Sequence, residues 1–220
     1  MPCGPFADAT PASGYRKHPK CPICGDLERH RIQHLVVNGV LSKTDTSSLK
    51  AIHFAPEPFF KKLFSARFGL YESADLHGDN VDHNVDLQQL PFSDETYDFV
   101  FASHVMEHIS DDESAISEVC RILRPNGIAI LPVPIVGEKT IEYPGPNPIE
   151  AYHVRAPGLD YFDIYNRWFS TVKEFSSEML PEKYQLFVYE DRSKWPTKEC
   201  PMRLPMQGHK HVDIVPVCYR

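Results

Sequence analysis

Residues 97–108 carry the sequence YDFVFASHVMEH, and this stretch decides the fold class. Its first half, Tyr97–Ala102, is apolar apart from one aspartate, which is typical of a buried strand, and polar side chains follow directly. Similar short runs occur at Leu49–Phe54, Gly69–Ala74 and Ile128–Pro132. Because longer segments with helical periodicity separate these runs, we predict an α/β fold built on a mainly parallel sheet.

The segments between the predicted strands share an apolar residue every three to four positions, which predicts amphipathic helices. These segments are Asp26–Val40, Pro58–Phe68 and Glu113–Leu123. The sequence Pro125-Asn126-Gly127 predicts a helix stop and a turn into the next strand. Two later segments, Lys183–Tyr189 and Val212–Tyr219, are predicted as strands that form an antiparallel edge of the sheet.

Length and composition favour one domain. The chain has 220 residues, of which 42% are hydrophobic, enough for a single core. We predict a domain at residues 21–220, preceded by a flexible arm at residues 1–20 that is rich in Pro, Gly, Ala and Ser. The sequence has neither a membrane-length apolar segment nor the pattern of a signal peptide, so we expect a cytoplasmic protein without a membrane partner. Its six cysteines are then expected to be reduced thiols or metal ligands rather than disulfides.

The charge of the chain is unevenly distributed. The net charge is −7, and residues 70–118 contain thirteen Asp or Glu and no Lys or Arg. An acidic surface repels phosphate backbones, so we expect no nucleic-acid partner, whereas a small cationic ligand is attracted. The alternative is an acidic face that only keeps the protein soluble.

The residues directly after each predicted strand are the candidates for a binding site, because ligands of open parallel sheets bind at the carboxyl ends of the strands. These residues are His53–Glu57, Asp75, Asp86-Leu87 and Ser103–His108. An acid after the second strand suits both hydroxyls of a ribose, which makes Asp75 the candidate for a nucleoside contact. The alternative is that Asp75 only caps or turns the chain.

A series of motifs runs from Cys21 to about Tyr161. In chain order they are CPICGDLERHR (21–31), HFAPE (53–57), Asp75-Leu76, Asp86 with LPF (90–92), Tyr97-Asp98, HVMEH (104–108), Arg121 with PNG (125–127), VPI (133–135) and HVR (153–155). Their order and spacing resemble the class I S-adenosylmethionine-dependent methyltransferases, most closely a group of small members with unassigned substrates.

This resemblance implies a Rossmann-like sheet of the seven-stranded type and S-adenosylmethionine as the cofactor. The residues it implies for cofactor binding are His53, Ala55, Pro56, Glu57, Asp75, Leu76, Asp86, Leu87, Ser103 and His104. Asp75 would hold the ribose, Asp86-Leu87 the adenine, and Ser103-His104 would lie beneath the sulfonium. The first loop departs from the family, since Ala55, Pro56 and Glu57 stand where a Gly-rich turn is usual; Glu57 is then expected to pair with the ammonium of the cofactor.

Three histidines are the candidates for a catalytic base, because imidazole titrates near neutral pH. His104 is the first choice, followed by His108 and His153; the alternative for His108 is a structural hydrogen bond. Arg155 and Tyr152, beyond a Pro-Gly-rich loop at Tyr143–Pro148, are expected to bind the substrate. The alternative for Arg155 is a structural salt bridge to the acidic segment.

The pair Cys21 and Cys24 has the spacing of half a zinc ribbon. Cys3, or His30 with His34, would have to complete such a site, and the preferred interpretation is a knuckle without metal. We therefore predict no metal ligand. Arg29 and Arg31 are interpreted either as contacts to the carboxylate of the cofactor or as surface residues.

The predicted function is methyl transfer from S-adenosylmethionine to a small-molecule acceptor that the sequence does not identify. Two alternatives follow from the altered first loop. The first is an enzyme of the same fold that breaks another sulfonium bond and releases methylthioadenosine. The second is a binding module without catalysis. The sequence leaves a monomer and a homodimer open.

Overall fold

The computed structural model describes residues 7–9, 16–21, 25–187, 190–201, 205 and 207–220. Its strands are β1 (Ala7–Ala9), β2 (Arg16–Lys20), β3 (Lys50–Phe54), β4 (Leu70–Asp75), β5 (His83–Asn84), β6 (Tyr97–Ala102), β7 (Leu123–Ile130), β8 (Ile141–Asn147), β9 (His153–Ala156), β10 (Thr171–Ser176) and β11 (Ile214–Tyr219). The α-helices are α1 (Glu28–Val40), α2 (Pro58–Ser65) and α3 (Asp112–Ile122). Short 3₁₀ helices lie at Met106–His108, Pro148–Glu150, Leu159–Asp163, Tyr165–Arg167, Ser177–Met179 and Glu182–Tyr184.

Seven strands form the main sheet in the order β10-β11-β7-β6-β3-β4-β5. β7, β6, β3, β4 and β5 are parallel neighbours, whereas β11 is antiparallel to both β7 and β10. The central strands are in close register, since Phe54 lies opposite both Ala74 and Ala102. The predicted Rossmann-like, mainly parallel sheet with an antiparallel edge is confirmed.

Both faces of the sheet are covered, which explains the apolar run at its centre. Along β6, Tyr97, Val100 and Ala102 belong to one core cluster, and Phe99 and Phe101 belong to the other. A strand buried on both faces needs apolar side chains at consecutive positions rather than at alternate ones. This is why Tyr97–Ala102 was recognisable in the sequence.

Helices α1 and α2 cover one face of the sheet. Ile32 and Val36 of α1 pack with Phe60 and Phe64 of α2, which are one helical turn apart and fully buried. On the other face, α3 packs together with the segment that contains Tyr161, Phe162 and Tyr165. Asp111 caps α3 by accepting a hydrogen bond from the backbone N–H of Ser114 at 3.0 Å.

The turn predicted at Pro125-Asn126-Gly127 lies inside β7 instead. Leu123 pairs with Tyr97 and Ile128 pairs with Phe99, so the residues between them form a bulge in the strand. Asn126 has a φ of 66°, and a Cβ on Gly127 would lie 2.8 Å from the carbonyl oxygen of Arg124. The turn chemistry was therefore identified correctly, but β7 begins before it.

The predictions for the C-terminal part were right for one segment and wrong for another. The predicted Val212–Tyr219 corresponds to β11, but the edge of the sheet is β10, which was not predicted. The described part of Lys183–Tyr189, residues 183–187, contains no strand, and a 3₁₀ helix lies at Glu182–Tyr184. The Pro-Gly-rich loop belongs largely to β8, which pairs antiparallel with β9.

The segment predicted as an arm includes the antiparallel pair of β1 and β2. Its flexibility stays a prediction. Among the described residues, no helix has the length and apolar character needed to cross a bilayer.

Candidate functional site

The carboxyl ends of the parallel strands meet at one edge of the sheet, as predicted. The backbone N–H of Ala55, directly after β3, donates to the carbonyl of Ala74 in β4 at 2.9 Å. The N–H of Val85, after β5, donates to the carbonyl of Asp75 at 3.0 Å. These hydrogen bonds bring the first loop and the predicted ribose acid to the same edge.

Ala55 turns the first loop in a conformation that usually requires glycine. Its φ is 48°, in the left-handed region, where an L-residue costs roughly 1 to 2 kcal/mol more than glycine. Alanine, with the smallest side chain after glycine, occupies the turn, and Pro56 and Glu57 lead into α2, whose first residue is Pro58. The first loop thus makes a sharp left-handed turn without a glycine.

The prediction that the side chain of His53 contacts a cofactor is wrong. The side chain is fully buried, with its ring packed edge-on against Phe60, Phe64 and Phe101. His53 Nδ1 lies 3.2 Å from the Tyr71 hydroxyl, and Nε2 lies 3.1 Å from Glu57 Oε2. The side chain of His53 therefore lies among aromatic rings. Its contact with Glu57 positions that carboxylate at the edge of the sheet.

Tyr71, His53 and Glu57 form a row of contacts in which each proton can be assigned. Burial lowers the pKa of His53 and raises that of Tyr71, so at neutral pH the ring is neutral and the phenol keeps its proton. The phenol then donates to Nδ1, which places the ring proton on Nε2, facing Glu57. Burial is the largest effect and acts to raise the pKa of Glu57, but the contact with His53, the nearby His30 and a backbone hydrogen bond together leave the pKa below its ordinary value. Glu57 is therefore a carboxylate at the edge of the sheet.

Asp75 ends β4 and is half-buried. Its Oδ1 accepts a hydrogen bond from the backbone N–H of His77 at 2.8 Å, which is the turn-forming alternative for this residue. Oδ2 has no hydrogen bond among the described residues. A Cβ on Gly78 would lie 2.9 Å from Cβ of Asp75, so the loop passes directly beside the acid. Asp75 therefore turns the chain and leaves one oxygen without a partner among the described residues.

The residues predicted next to Asp75 have different environments. Leu76 is 54% exposed at the edge of the sheet, which suits contact with a ligand. Asp86 is exposed and accepts from the backbone N–H of Gln88 at 2.9 Å. Leu87 is buried in the core cluster. Their contacts with an adenine stay a prediction.

Ser103 and His104 follow β6 directly, as the sequence places them. Ser103 is buried and donates to Gln33 Oε1 of α1 at 3.1 Å. His104 has a φ of 55°, and its N–H donates to the carbonyl of Pro132 at 2.8 Å. Strain of this kind at a non-glycine residue is common at functional sites.

The side chain of His104 is oriented by a buried acid. Nδ1 lies 3.2 Å from Oε1 of Glu107, which is 1% exposed. Nε2 has no hydrogen-bond partner within the described parts of the chain. Burial is the largest effect and acts to raise the pKa of Glu107, but His104, a backbone hydrogen bond and His108 together leave the pKa below its ordinary value. A charged Glu107 favours a proton on Nδ1, which leaves Nε2 as the basic nitrogen.

The other two predicted bases lie beside the same acid. His153 Nε2 is 4.0 Å from Glu107 Oε1, and the rings of His108 and His153 are edge-to-face with centroids 4.6 Å apart. Burial lowers the pKa of His153, so its imidazole is neutral at neutral pH. His108 is exposed. The structure therefore gathers all three histidines around Glu107.

The prediction that Arg155 binds the substrate is corrected by its contacts. The residue is 3% exposed, and its guanidinium pairs with Glu142 at 2.9 Å and with Asp112 at 3.4 Å. It also donates to the carbonyls of Met106, Ile109 and Ser110. These contacts occupy the N–H donors with which Arg155 would bind a substrate. The structure therefore contains the alternative interpretation of Arg155, a structural salt bridge to the acidic segment. Tyr152 is 65% exposed, and its contact with a substrate stays a prediction.

The N-terminal candidates are only partly described. Cys3 and Cys24 lie outside the described residues, and Cys21 is buried. His30 Nδ1 lies 3.2 Å from Asp26 Oδ1, and His34 Nε2 lies 2.8 Å from Asn38 Nδ2. Arg31 donates to the carbonyl of Gln185, whereas Arg29 Nε contacts His30 Nε2 at 3.3 Å.

The sequence reasoning missed Gln33 and Asp213. Gln33 is a fully buried polar residue in the apolar stripe of α1, which was the available signal. Asp213 is 8% exposed, directly precedes β11 and accepts from the N–H of Ile214 at 2.9 Å. Burial raises the pKa of Asp213 to about 6, against the opposing charge of His104. A buried polar residue within a helical stripe and one directly before a strand thus lie next to the predicted set.

Comparisons with known proteins agree with this architecture. Residues 69–131 match the sequence profile of a family described as a methyltransferase domain. No curated protein sequence matches the chain.

Two solved structures illustrate the similarity of fold. An S-adenosylmethionine dependent methyltransferase from Mesorhizobium loti is 12% identical with a TM-score of 0.54, covering 82% of this chain and 95% of that chain. A phospholethanolamine N-methyltransferase 2 from Haemonchus contortus, in complex with phosphomonomethylethanolamine and S-adenosylhomocysteine, is 16% identical with a TM-score of 0.50, covering 66% of this chain and 38% of that chain. The chain thus has the class I methyltransferase fold, and the segment that matches the methyltransferase domain profile contains Asp75, Asp86, Ser103 and His104.

Proposed function

We propose that this protein transfers the methyl group of S-adenosylmethionine to a small-molecule acceptor. The observation that carries the proposal is Asp75, which ends the second parallel strand within the matched segment and keeps Oδ2 without a hydrogen bond among the described residues. A carboxylate in this position suits a ribose. The profile match and the fold of solved methyltransferases support the same function.

The charges of the edge suit this cofactor, which carries a sulfonium and an ammonium. Glu57 is a carboxylate in the first loop, so it is the partner that we propose for the ammonium. Ser103 and His104 lie at the end of β6, between the ends of β3 and β7, where we place the sulfonium. The acidic segment, residues 70–118, contributes Asp75 and Asp86 to this edge; its charge disfavours a polyanionic acceptor and is the reason to propose a small molecule.

The chemistry requires little more than alignment, because the sulfonium is already a good leaving group. Holding the acceptor in line with the methyl carbon supplies roughly 7 to 11 kcal/mol. S-adenosylmethionine held through Asp75 and Glu57 would supply an electrophilic methyl group; a lone pair of the acceptor would take this group, the electrons of the C–S bond would stay on sulfur, and S-adenosylhomocysteine would remain. An acceptor that arrives protonated passes its proton to Nε2 of His104, and Glu107 stabilises the imidazolium through Nδ1 at 3.2 Å.

Replacing Asp75 with alanine should weaken the binding of S-adenosylhomocysteine. A hydrogen bond to a charged group contributes about 1.5 to 3 kcal/mol, which corresponds to a dissociation constant about 10- to 150-fold higher. Titration calorimetry measures this directly. Asp79→Ala, which removes an exposed acid of the same segment, is the matched control and should leave the affinity within about 2-fold. Equal affinities for the Asp75→Ala variant and the unmodified protein would remove Asp75 from the site.

Incubation with S-adenosylmethionine alone distinguishes methyl transfer from other reactions of the same cofactor. All three carbons on the sulfonium are electrophilic, so the product reports which bond breaks. We expect the cofactor to remain intact without an acceptor. If the amine of the methionine tail attacked its own γ-carbon, methylthioadenosine and a cyclic amino acid would form, and chromatography of the nucleosides would detect this. Enzyme-dependent release of methylthioadenosine would contradict the proposed function.

A further inference from the structure

A group of metal-binding side chains lies beside His104. Glu107 and His108 belong to the 3₁₀ helix that follows β6, and His153 is the first residue of β9. One carboxylate oxygen of Glu107 and one ring nitrogen from each histidine all lie within 4.8 Å of one another. We call these three residues the Glu-His-His cluster. It joins two elements that are far apart in the sequence.

The buried carboxylate of Glu107 provides an independent reason to look for a cation. Glu107 is 1% exposed, and neither carboxylate oxygen has a hydrogen bond of good geometry among the described residues. The contact with His104 reaches only Oε1. A buried carboxylate without hydrogen bonds is costly, so such groups are normally paired or coordinate a metal. His153 Nε2 lies 4.0 Å from Oε1, and a ring nitrogen of His108 lies within 4.8 Å of a carboxylate oxygen.

We propose that the Glu-His-His cluster binds a divalent transition-metal ion of the Zn²⁺ type. Two imidazoles and one carboxylate form a known ligand set for zinc, and imidazole selects transition metals over Mg²⁺ and Ca²⁺. Ligand atoms around a tetrahedral zinc are roughly 3.3 Å apart. The ligand atoms of the cluster now lie up to 4.8 Å apart, and the exposed His108 is the ligand with room to move closer. Three protein ligands leave one coordination position open.

The surroundings hold the cluster in place. Arg155 donates to the carbonyls of Met106 at 2.9 Å and Ile109 at 2.6 Å, which flank Glu107 and His108. Arg155 also lies in β9, two residues after His153, so one side chain fixes both halves of the cluster. His104 Nδ1, at 3.2 Å from Oε1, orients the carboxylate from behind. Such outer contacts position metal ligands and strengthen metal binding.

The test uses the full chain, treated with a chelator and then titrated with Co²⁺, whose visible absorption reports its ligands, and with Zn²⁺ by calorimetry. We expect one equivalent to bind, with the visible bands of cobalt in nitrogen and oxygen coordination. His153→Asn and His108→Asn should each weaken binding at least about 100-fold, which exceeds the effect of losing an outer contact. Neither replacement removes a residue of the core, and circular dichroism verifies the fold. His77→Asn, an exposed histidine outside the cluster, is the control and should bind normally.

The outcomes separate this site from the cysteine pair and from the proposed methyl transfer. Near-ultraviolet thiolate-to-cobalt absorption, lost in Cys21→Ser, would place the metal at the cysteines and overturn the proposal. Absence of binding, or binding unchanged in both histidine variants, would overturn it as well. Metal binding is measured without S-adenosylmethionine, so a negative metal titration would not contradict the proposed methyl transfer. Failure of methyl transfer likewise leaves the metal titration unaffected.

Discussion

Replacing Arg155 with methionine should lower the free energy of unfolding by about 3 to 5 kcal/mol, the usual cost of removing one partner from a buried ion pair. The guanidinium is almost completely buried and lies 3.4 Å from the half-buried Asp112. It also donates hydrogen bonds to the carbonyl oxygens of Met106, Ile109 and Ser110. Methionine fills much of the same volume but donates no hydrogen bond, so these groups lose their partner without regaining water.

Urea unfolding at neutral pH measures this loss. Arg167→Met is the matched control, because Arg167 is 62% exposed and pairs with the half-exposed Glu113 at 3.3 Å. An exposed pair of this kind contributes about 0 to 1 kcal/mol. Similar losses in the two variants would show that Arg155 does not clamp the turn that carries Glu107 and His108.

The pH dependence of the same experiment separates the acidic partners of Arg155 from the carbonyls. Burial raises the pKa of Asp112 even though Arg155 acts to lower it. Removing Arg155 takes away an attraction that exists only while Asp112 is charged. The difference between the variant and the unmodified protein should therefore shrink as the pH falls and Asp112 is protonated. A difference that is constant with pH would assign the effect to the carbonyls alone.

The central strands and the covering helices could be predicted because their burial requires recognisable apolar patterns in the sequence. The runs at Tyr97–Ala102 and Lys50–Phe54 are nearly continuous apolar segments, and Phe60 and Phe64 have helical spacing. β10 escaped prediction because it lies at the edge of the sheet, where the residues Lys173 and Glu174 are exposed. An edge strand needs no apolar alternation, so its sequence resembles a loop.

The site could be predicted only where topology alone determines it. Parallel strands end at a common edge, so the positions of Asp75 and His104 after apolar runs predicted that both lie at this edge. Other residues depend on partners from distant elements. Arg155 contacts Met106, and His53 contacts Tyr71. Sequence spacing does not reveal whether a polar side chain at the end of a strand points toward the cleft or into the core. That is why His53 was assigned to the cofactor.

Asp213→Asn should stabilise the protein at neutral pH by about 2 to 3 kcal/mol. The folded state raises the pKa of Asp213 from 3.8 to about 6, because burial penalises the charged form. One pKa unit corresponds to about 1.36 kcal/mol. Asparagine keeps an oxygen that accepts from the N–H of Ile214 and carries no charge. Arg29 favours the charge on Asp213, as a protonated His104 would, and Glu28 opposes it.

The stability gained by Asp213→Asn should depend on pH. Because the folded state binds the proton of Asp213 more tightly than the unfolded chain, the stability that this proton provides is complete below about pH 4 and is lost as the pH rises to about 6. The advantage of Asp213→Asn should therefore be close to zero near the lower limit, grow through this interval and stay constant above it. Urea unfolding of both proteins across the interval measures the difference, and Asp163→Asn, at an exposed position, is the control. An advantage that does not change with pH, or a loss of stability at neutral pH, would mean that Asp213 is held charged by a stronger partner than His104, and the charge arrangement behind the proposed base would have to be revised.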